Sequence, residues 1–332
     1  MKRILVVVPN WIGDSLMATP VLRALKENVK SSYTGVLAHS RVLDIFKNNP
    51  YVDEIIEFDV KKNFFSKLRI ISELAGKKFD TAFLLKPSFT KSLICRFSGI
   101  KDIYGHESKK LTLINRPIKS NSQVVHKMDY YLTIIESLGL KAAKKESEFF
   151  LTESELKKVE PMLSSLPKAR FKIVLHPKAN WFLKMWPQES FAKLADKLIG
   201  ELDAAVIITG TSQDLELASK IESLMVNKPY LLAGATSLRE LAALLRKVDL
   251  FISADTGIMH LAASLGTCLI ALFGPTHPSA SGPRAASITK IIHNDVGCKI
   301  PCYSLDCRDN ICMKSIAVDE VFEEAKKILS NQ

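Results

Sequence analysis

No stretch of the 332 residues reaches the ~18 to 20 consecutive apolar residues that a membrane span requires. The longest candidate, Leu261 to Phe273, is shorter and is interrupted by Ser264, Gly266 and Thr267. The start, Met1-Lys2-Arg3 followed by Ile4 to Val8, halts at Pro9-Asn10, short of the ~7 to 15 apolar residues of a secretory signal. Both absences point to a cytoplasmic protein. The turn after the first apolar run lacks Gly-x-Gly-x-x-Gly, which weighs against an NAD or FAD enzyme. Asp255-Thr256-Gly257 has no second Asp-Thr/Ser-Gly to pair with, so a protease of two carboxylates sharing one proton is excluded. Low-complexity blocks and recognisable nucleic-acid-binding modules are missing as well.

What is present is an ordinary globular composition, 47% hydrophobic and 24% charged, at a length that suits two domains of about 150 residues. The net charge of +11 suggests an anionic partner: nucleic acid, a phosphorylated small molecule or an anionic membrane surface. The basic residues are spread along the chain in pairs such as Lys77-Lys78 and Lys144-Lys145. With no module to read nucleic acid, that partner is the least favoured.

Strand-type and helix-type runs alternate from the first residues: Ile4–Val8, then a helix over about 15–28; Gly35–Ala38, Glu54–Phe58 and Thr81–Leu85, each followed by a helical run. The pattern lapses over Ser164–Arg170 and restarts with Lys172–Leu175, Ala205–Ile208, Leu250–Ile252 and Cys268–Phe273. Such alternation predicts parallel sheets covered by helices. We expect two Rossmann-like α/β domains, 1–167 and 168–332, facing one another across a cleft, with the last helix packing back on the first. Ligands are expected at the carboxyl ends of the strands.

Three strand-to-helix turns carry polar residues there. Pro9-Asn10-Trp11-Ile12-Gly13-Asp14-Ser15 offers a carboxylate, Asp14, which is either a helix cap or a general base taking a proton from an attacking hydroxyl. His176 to Pro187 contains Lys184, a point charge suited to a pyrophosphate or else a solvated surface lysine. In the same turn Trp186 reads as packing, and Pro187 as the first helical residue. The third turn, Ser253-Ala254-Asp255-Thr256-Gly257-Ile258-Met259-His260, aims a helix N-terminus at one place, where a phosphate is stabilised. Asp255 sits there to accept from sugar hydroxyls, or one of Asp255 and Thr256 merely caps the helix.

Taken together, Gly13-Asp14-Ser15-Leu16-Met17 with Pro20, Lys184-Met185-Trp186-Pro187, Asp255 to Ala263 and Leu272-Phe273-Gly274-Pro275-Thr276 resemble glycosyltransferase family 9, the heptosyltransferases of the lipopolysaccharide inner core. Within it, Lys86 to Ser92, with Gly99 and Gly105, is most similar to the heptosyltransferase II branch. The resemblance implies a GT-B fold, an ADP-heptose donor bound by the second domain and a lipid A-core acceptor held by the first. It also implies inversion by direct displacement, with no divalent metal and no cofactor. It makes Asp14 the base, Lys184 the diphosphate ligand, Thr256 and Gly257 the phosphate turn, Asp255 the holder of heptose hydroxyls, and His260 the histidine of the same motif. Peripheral contact with the inner membrane follows from such an acceptor. In one place the chain departs from the family, reading Pro177-Lys178-Ala179 where Pro-Gly-Ala is common.

Of six cysteines, Cys298, Cys302, Cys307 and Cys312 share one segment with spacings looser than the Cys-x2-Cys of zinc knuckles. They are either a structural metal site or reduced thiols. Cys95 and Cys268 lie in apolar runs and are expected in the core.

Overall fold

A computed structural model of the chain describes residues 2–59, 64–109, 111–119, 126–302 and 307–331. It divides into two compact units, Met1–Phe150 and Leu151–Gln332, each a parallel sheet with helices.

In the first unit, strands β1 (Arg3–Val7), β2 (Tyr33–Ala38), β3 (Glu54–Glu57), β4 (Thr81–Leu84), β5 (Asp102–His106) and β6 (Arg116–Ile118) form one sheet in the order β3-β2-β1-β4-β5-β6. Every neighbouring pair is parallel. The central strands β1 and β4 read as unbroken apolar runs because helices cover both of their faces, and Leu5, Val7, Ala82 and Leu84 lie in the core. The main helices are α1 (Ile12–Leu16), α2 (Thr19–Asn28), α3 (Phe64–Lys77), α4 (Phe89–Phe97) and α5 (Lys127–Glu136). The single helix expected over about 15–28 is thus broken in two. Pro20 has no N–H to bond back to Leu16; instead the Thr19 hydroxyl donates to the Leu16 carbonyl at 2.8 Å. The chain departs to opposite sides of β1, so the crevice between the carboxyl ends of β1 and β4 is the switch point of this sheet.

The second unit repeats the plan with β7 (Phe171–His176), β8 (Ala204–Ile208), β9 (Tyr230–Leu231), β10 (Leu250–Ala254), β11 (Leu269–Phe273) and β12 (Thr289–His293), ordered β12-β11-β10-β7-β8-β9 and parallel throughout. Its helices include α6 (Glu153–Lys158), α7 (Gln188–Leu202), α8 (Leu215–Ser223), α9 (Leu238–Leu245), α10 (Gly257–Leu265) and α11 (Val318–Ser330). The switch point lies between β7 and β10. Pro187 is the cap of α7 rather than its first residue, and Trp186 is buried against Phe191, donating to the Ile316 carbonyl at 3.0 Å.

The bounds of the compact units differ from the expected division. The boundary falls at 150/151 rather than 167/168 because α6 belongs to the second unit. There Glu155 of its Thr152 capping box also pairs with Arg239 of α9, Nη2 to Oε2 at 2.9 Å. The last helix, α11, contributes Val321, Phe322, Ala325, Ile328 and Leu329 to the core of the second unit, against α7 and β11. Among the described residues no helix is long and apolar enough to cross a membrane. All six cysteines are free thiols, Cys95 buried and Cys268 packed against the second core. No group of three potential metal ligands is gathered among the described residues.

Candidate active site

The carboxyl edge of the second sheet holds the denser polar cluster. β10 ends at Ala254, and Asp255 follows with its N–H donating to Leu272 O of β11 at 3.2 Å. That anchor leaves its carboxylate, 7% exposed, over the switch point. One of its oxygens, Oδ2, accepts from Lys184 Nζ at 2.6 Å and from Thr276 Oγ1 at 2.7 Å. Lys184 comes from the turn after β7 and Thr276 from the turn after β11, so three adjacent strands deliver one residue each. A carboxylate buried to this degree is stable only with such partners.

The helix that follows has its own cap. Thr256 Oγ1 accepts from Met259 N at 3.2 Å, and Gly266, at φ 73°, closes the other end in the left-handed region. Capping is therefore the work of Thr256, and Asp255 is left for side-chain chemistry. The first-turn N–H groups of α10 beyond that bond have no partner within the helix, and the positive end of its dipole adds to Lys184. A helix N-terminus with an adjacent ammonium is chemistry suited to stabilising an anion such as a diphosphate. His260, one turn into α10, is buried at 4% exposure, a packing position within the same motif.

At the end of β7, His176 is buried, and burial pulls its pKa down to about 4, with Asp214 opposing. Its Nδ1 lies 3.1 Å from Thr209 Oγ1, whose hydroxyl donates to Leu175 O. Thr209 therefore accepts from a neutral imidazole protonated on Nδ1. His176 braces the turn leading to Lys184 and carries no charge at neutral pH.

The first unit supplies Asp14. It is the third residue of α1, whose cap position is Trp11 with no side-chain cap, so the capping alternative is not what the structure shows. Asp14 Oδ1 accepts from Lys127 Nζ of α5 at 2.8 Å, and the side chain is 13% exposed. No hydrogen bond to Oδ2 is made among the described residues, leaving an acceptor for a hydroxyl. The turn beneath is fixed from two sides. Ser15 Oγ donates to Pro9 O at 2.8 Å, and Lys91 Nζ, from α4, donates to Val8 O at 2.8 Å and Asn10 Oδ1 at 2.9 Å. Burial, and then the nearby Lys86, lowers the Lys91 pKa to about 8.

Residues 67–310 match the family described as Glycosyltransferase family 9 (heptosyltransferase). The chain belongs to this family. It is 28% identical to lipooligosaccharide heptosyltransferase 2 of Campylobacter jejuni over 336 residues, 99% of each chain. It is also 28% identical to lipopolysaccharide heptosyltransferase 3 of Escherichia coli K12 over 282 residues, 80% of each. Its fold matches the solved Escherichia coli ADP-heptose lps heptosyltransferase II with a TM-score of 0.84 at 25% identity, covering 100% of this chain and 99% of that one. As a family 9 glycosyltransferase the chain has the GT-B-like architecture of two Rossmann-like units.

The site residues expected from sequence separate between the units: Asp14 in the first, Lys184, Asp255, Thr256, Gly257 and His260 in the second. Within the second, Lys184 meets Asp255 as a charge pair, and Thr256 and Gly257 open the adjoining helix. Three contributors carried no assigned role. Thr276 had a signal, its place at the end of an apolar run that becomes the next parallel strand. Lys127 and Lys91 had none, since their partners lie 113 and 81 residues away.

Proposed function

We propose that this family 9 enzyme transfers heptose from ADP-heptose to a lipid A-core acceptor of lipopolysaccharide, with inversion at the anomeric carbon. The second unit binds the donor: Lys184 and the N–H groups at Thr256 and Gly257 neutralise the diphosphate, and Asp255 orients sugar hydroxyls. The first unit binds the acceptor, and Asp14 takes the proton of its attacking hydroxyl as the bond to ADP breaks. Charge developing on the leaving diphosphate is met by Lys184 and the dipole of α10, the electrostatic contribution such a displacement needs. His260 acts by shaping this turn from within. The enzyme works in the cytoplasm, in peripheral contact with the inner membrane where its acceptor resides.

The observation that carries this reading is Lys184 and Thr276 converging on one oxygen of Asp255 beside the N-terminus of α10. Calorimetric titration with ADP, UDP and NAD tests it. ADP is expected to bind selectively, and Lys184→Ala to weaken it by about tenfold or more, as loss of a charge-assisted contact of ~1.5 to 3 kcal/mol implies. Asp14→Asn should keep ADP affinity and lose transfer by at least ~100-fold. Preference for UDP would overturn the donor, and transfer surviving in Asp14→Asn would remove Asp14 as base.

A further inference from the structure

The positive charge is not distributed as its lysine pairs suggest. Residues 61–119 hold fourteen lysines and arginines against four acids, so ten of the eleven net charges fall in one segment of the first unit. Lys61, Lys62 and Lys110 of that count lie outside the described residues. The same segment carries apolar side chains in water: Phe65 is 77% exposed, Leu111 73%, Leu68 46% and Phe89 45%.

Parallel topology brings these together. Every strand-to-helix turn leaves the sheet at its carboxyl edge. In spatial order along β3-β2-β1-β4-β5 the edge therefore presents Phe65 and the first turns of α3, then Arg41, then Trp11, then Lys86 and Phe89, then Lys109 and Leu111. At ~4.8 Å per strand that row is roughly 20 Å wide. Arg41 lies over the Trp11 ring at 4.9 Å from its centroid, and 51% of the Trp11 surface is exposed. Lys67 and Arg69 flank Leu68 on α3. The acids of this edge are Asp14, Asp44, Glu57, Asp59 and Glu107; Asp14 is paired with Lys127 and Asp44 with Lys47, and Asp59 lies 3.4 Å from His39 Nε2.

Resting on the lipid-acceptor reading above, we propose that this carboxyl edge of the first sheet is the surface by which the enzyme docks on an anionic lipid bilayer. Interleaved aromatic, aliphatic and cationic side chains are what the boundary between headgroups and acyl chains selects: apolar groups enter it while cations remain at the phosphates. Single-stranded nucleic acid also draws cations and aromatics, but leucine has no face on which a base stacks, so Leu68 and Leu111 favour lipid. Asp14, on the turn in the middle of the row, is thereby held at the level of the headgroups, where the hydroxyl of a lipid-linked sugar is presented.

The test is sedimentation of the full chain with phosphatidylcholine vesicles, with and without phosphatidylglycerol. The enzyme should bind the phosphatidylglycerol vesicles. Arg69→Gln/Lys109→Gln should weaken binding by about fivefold per charge, and Phe65→Ser/Leu111→Ser by about tenfold, with ADP affinity unchanged in both. Should the apolar pair fail to fold, the charge pair decides alone. Equal binding to both vesicle types, unchanged binding by the charge pair, or retention by a single-stranded oligonucleotide without vesicle binding overturns the proposal. Failure of the donor reading is seen separately, as loss of ADP binding by the unsubstituted chain.

Discussion

Lys91 is 7% exposed, and among the described residues its ammonium donates only to neutral oxygens, Val8 O and Asn10 Oδ1. Burying a cation without a carboxylate is costly, and burial holds this one at a pKa of about 8; what it returns is a fixed β1 turn under Asp14. Lys91→Met removes both the cost and the tie, so stability should change by no more than ~2 kcal/mol in either direction. Transfer should fall about 10- to 100-fold in kcat, because a base displaced by an ångström loses its line of approach, while ADP affinity holds. An unchanged kcat would show the tie to be dispensable. His176 makes the complementary case. Its folded pKa of about 4 lies below the ordinary 6.5, so as the pH falls the unfolded chain takes up the proton first. Its contribution to stability is full above pH ~6.5 and declines toward pH 4, by up to ~3 kcal/mol. His176→Asn should flatten the pH dependence of urea unfolding across that window; the same slope in the variant would assign it to other groups.

At the scale of elements, the turn after β11 depends on one missing side chain. A Cβ on Gly274 would lie 2.5 Å from Met313 Sδ and 3.0 Å from Cys312 Sγ, both in the segment that packs under it. Gly274→Ala should therefore cost about 1 to 3 kcal/mol by overpacking, measurable by urea unfolding. Because Pro275-Thr276 follows directly, it should also weaken ADP binding through the Thr276–Asp255 bond. Much of this architecture is legible in the sequence for a plain reason. β1, β4, β7, β10 and β11 are largely buried and read as apolar runs, and in a parallel sheet the turn after each such run is at the ligand edge. That is why Asp14, Lys184 and Asp255 stand out. β5 and β12 do not, since Asp102-Ile-Tyr-Gly-His106 and Thr289-Lys-Ile-Ile-His293 mix polar and apolar residues at the flanks of their sheets. The domain boundary was hidden because the lapse at Ser164–Arg170 lies inside the second unit, to which the pairing of Glu155 with Arg239, 84 residues apart, ties α6.

For the whole molecule, the two units are unlike in charge: the first has 25 basic and 15 acidic residues, the second 21 and 20. A unit with an excess of ten like charges is destabilised by its own repulsion, which salt screens. A nearly neutral one is not. Each unit also has its own sheet and core, so the chain need not unfold in a single step, and two perturbations should act on different transitions in a calorimetric scan. Added salt should raise the transition of residues 1–150 more than that of 151–332. ADP at about 100 times its Kd should stabilise only the latter, by ~2.7 kcal/mol, since Lys184, Asp255 and the N-terminus of α10 all belong to it. Lys184→Ala, binding ADP about tenfold more weakly or worse, should cut the ADP response at that concentration to ~1.4 kcal/mol or less and leave the salt response intact. If ADP instead raised both transitions together in the unsubstituted chain, the nucleotide's stabilising contacts would have to extend to the first unit or the two units would have to unfold as one. The scan of Lys184→Ala separates these, because coupled unfolding would persist as a single transition without ligand.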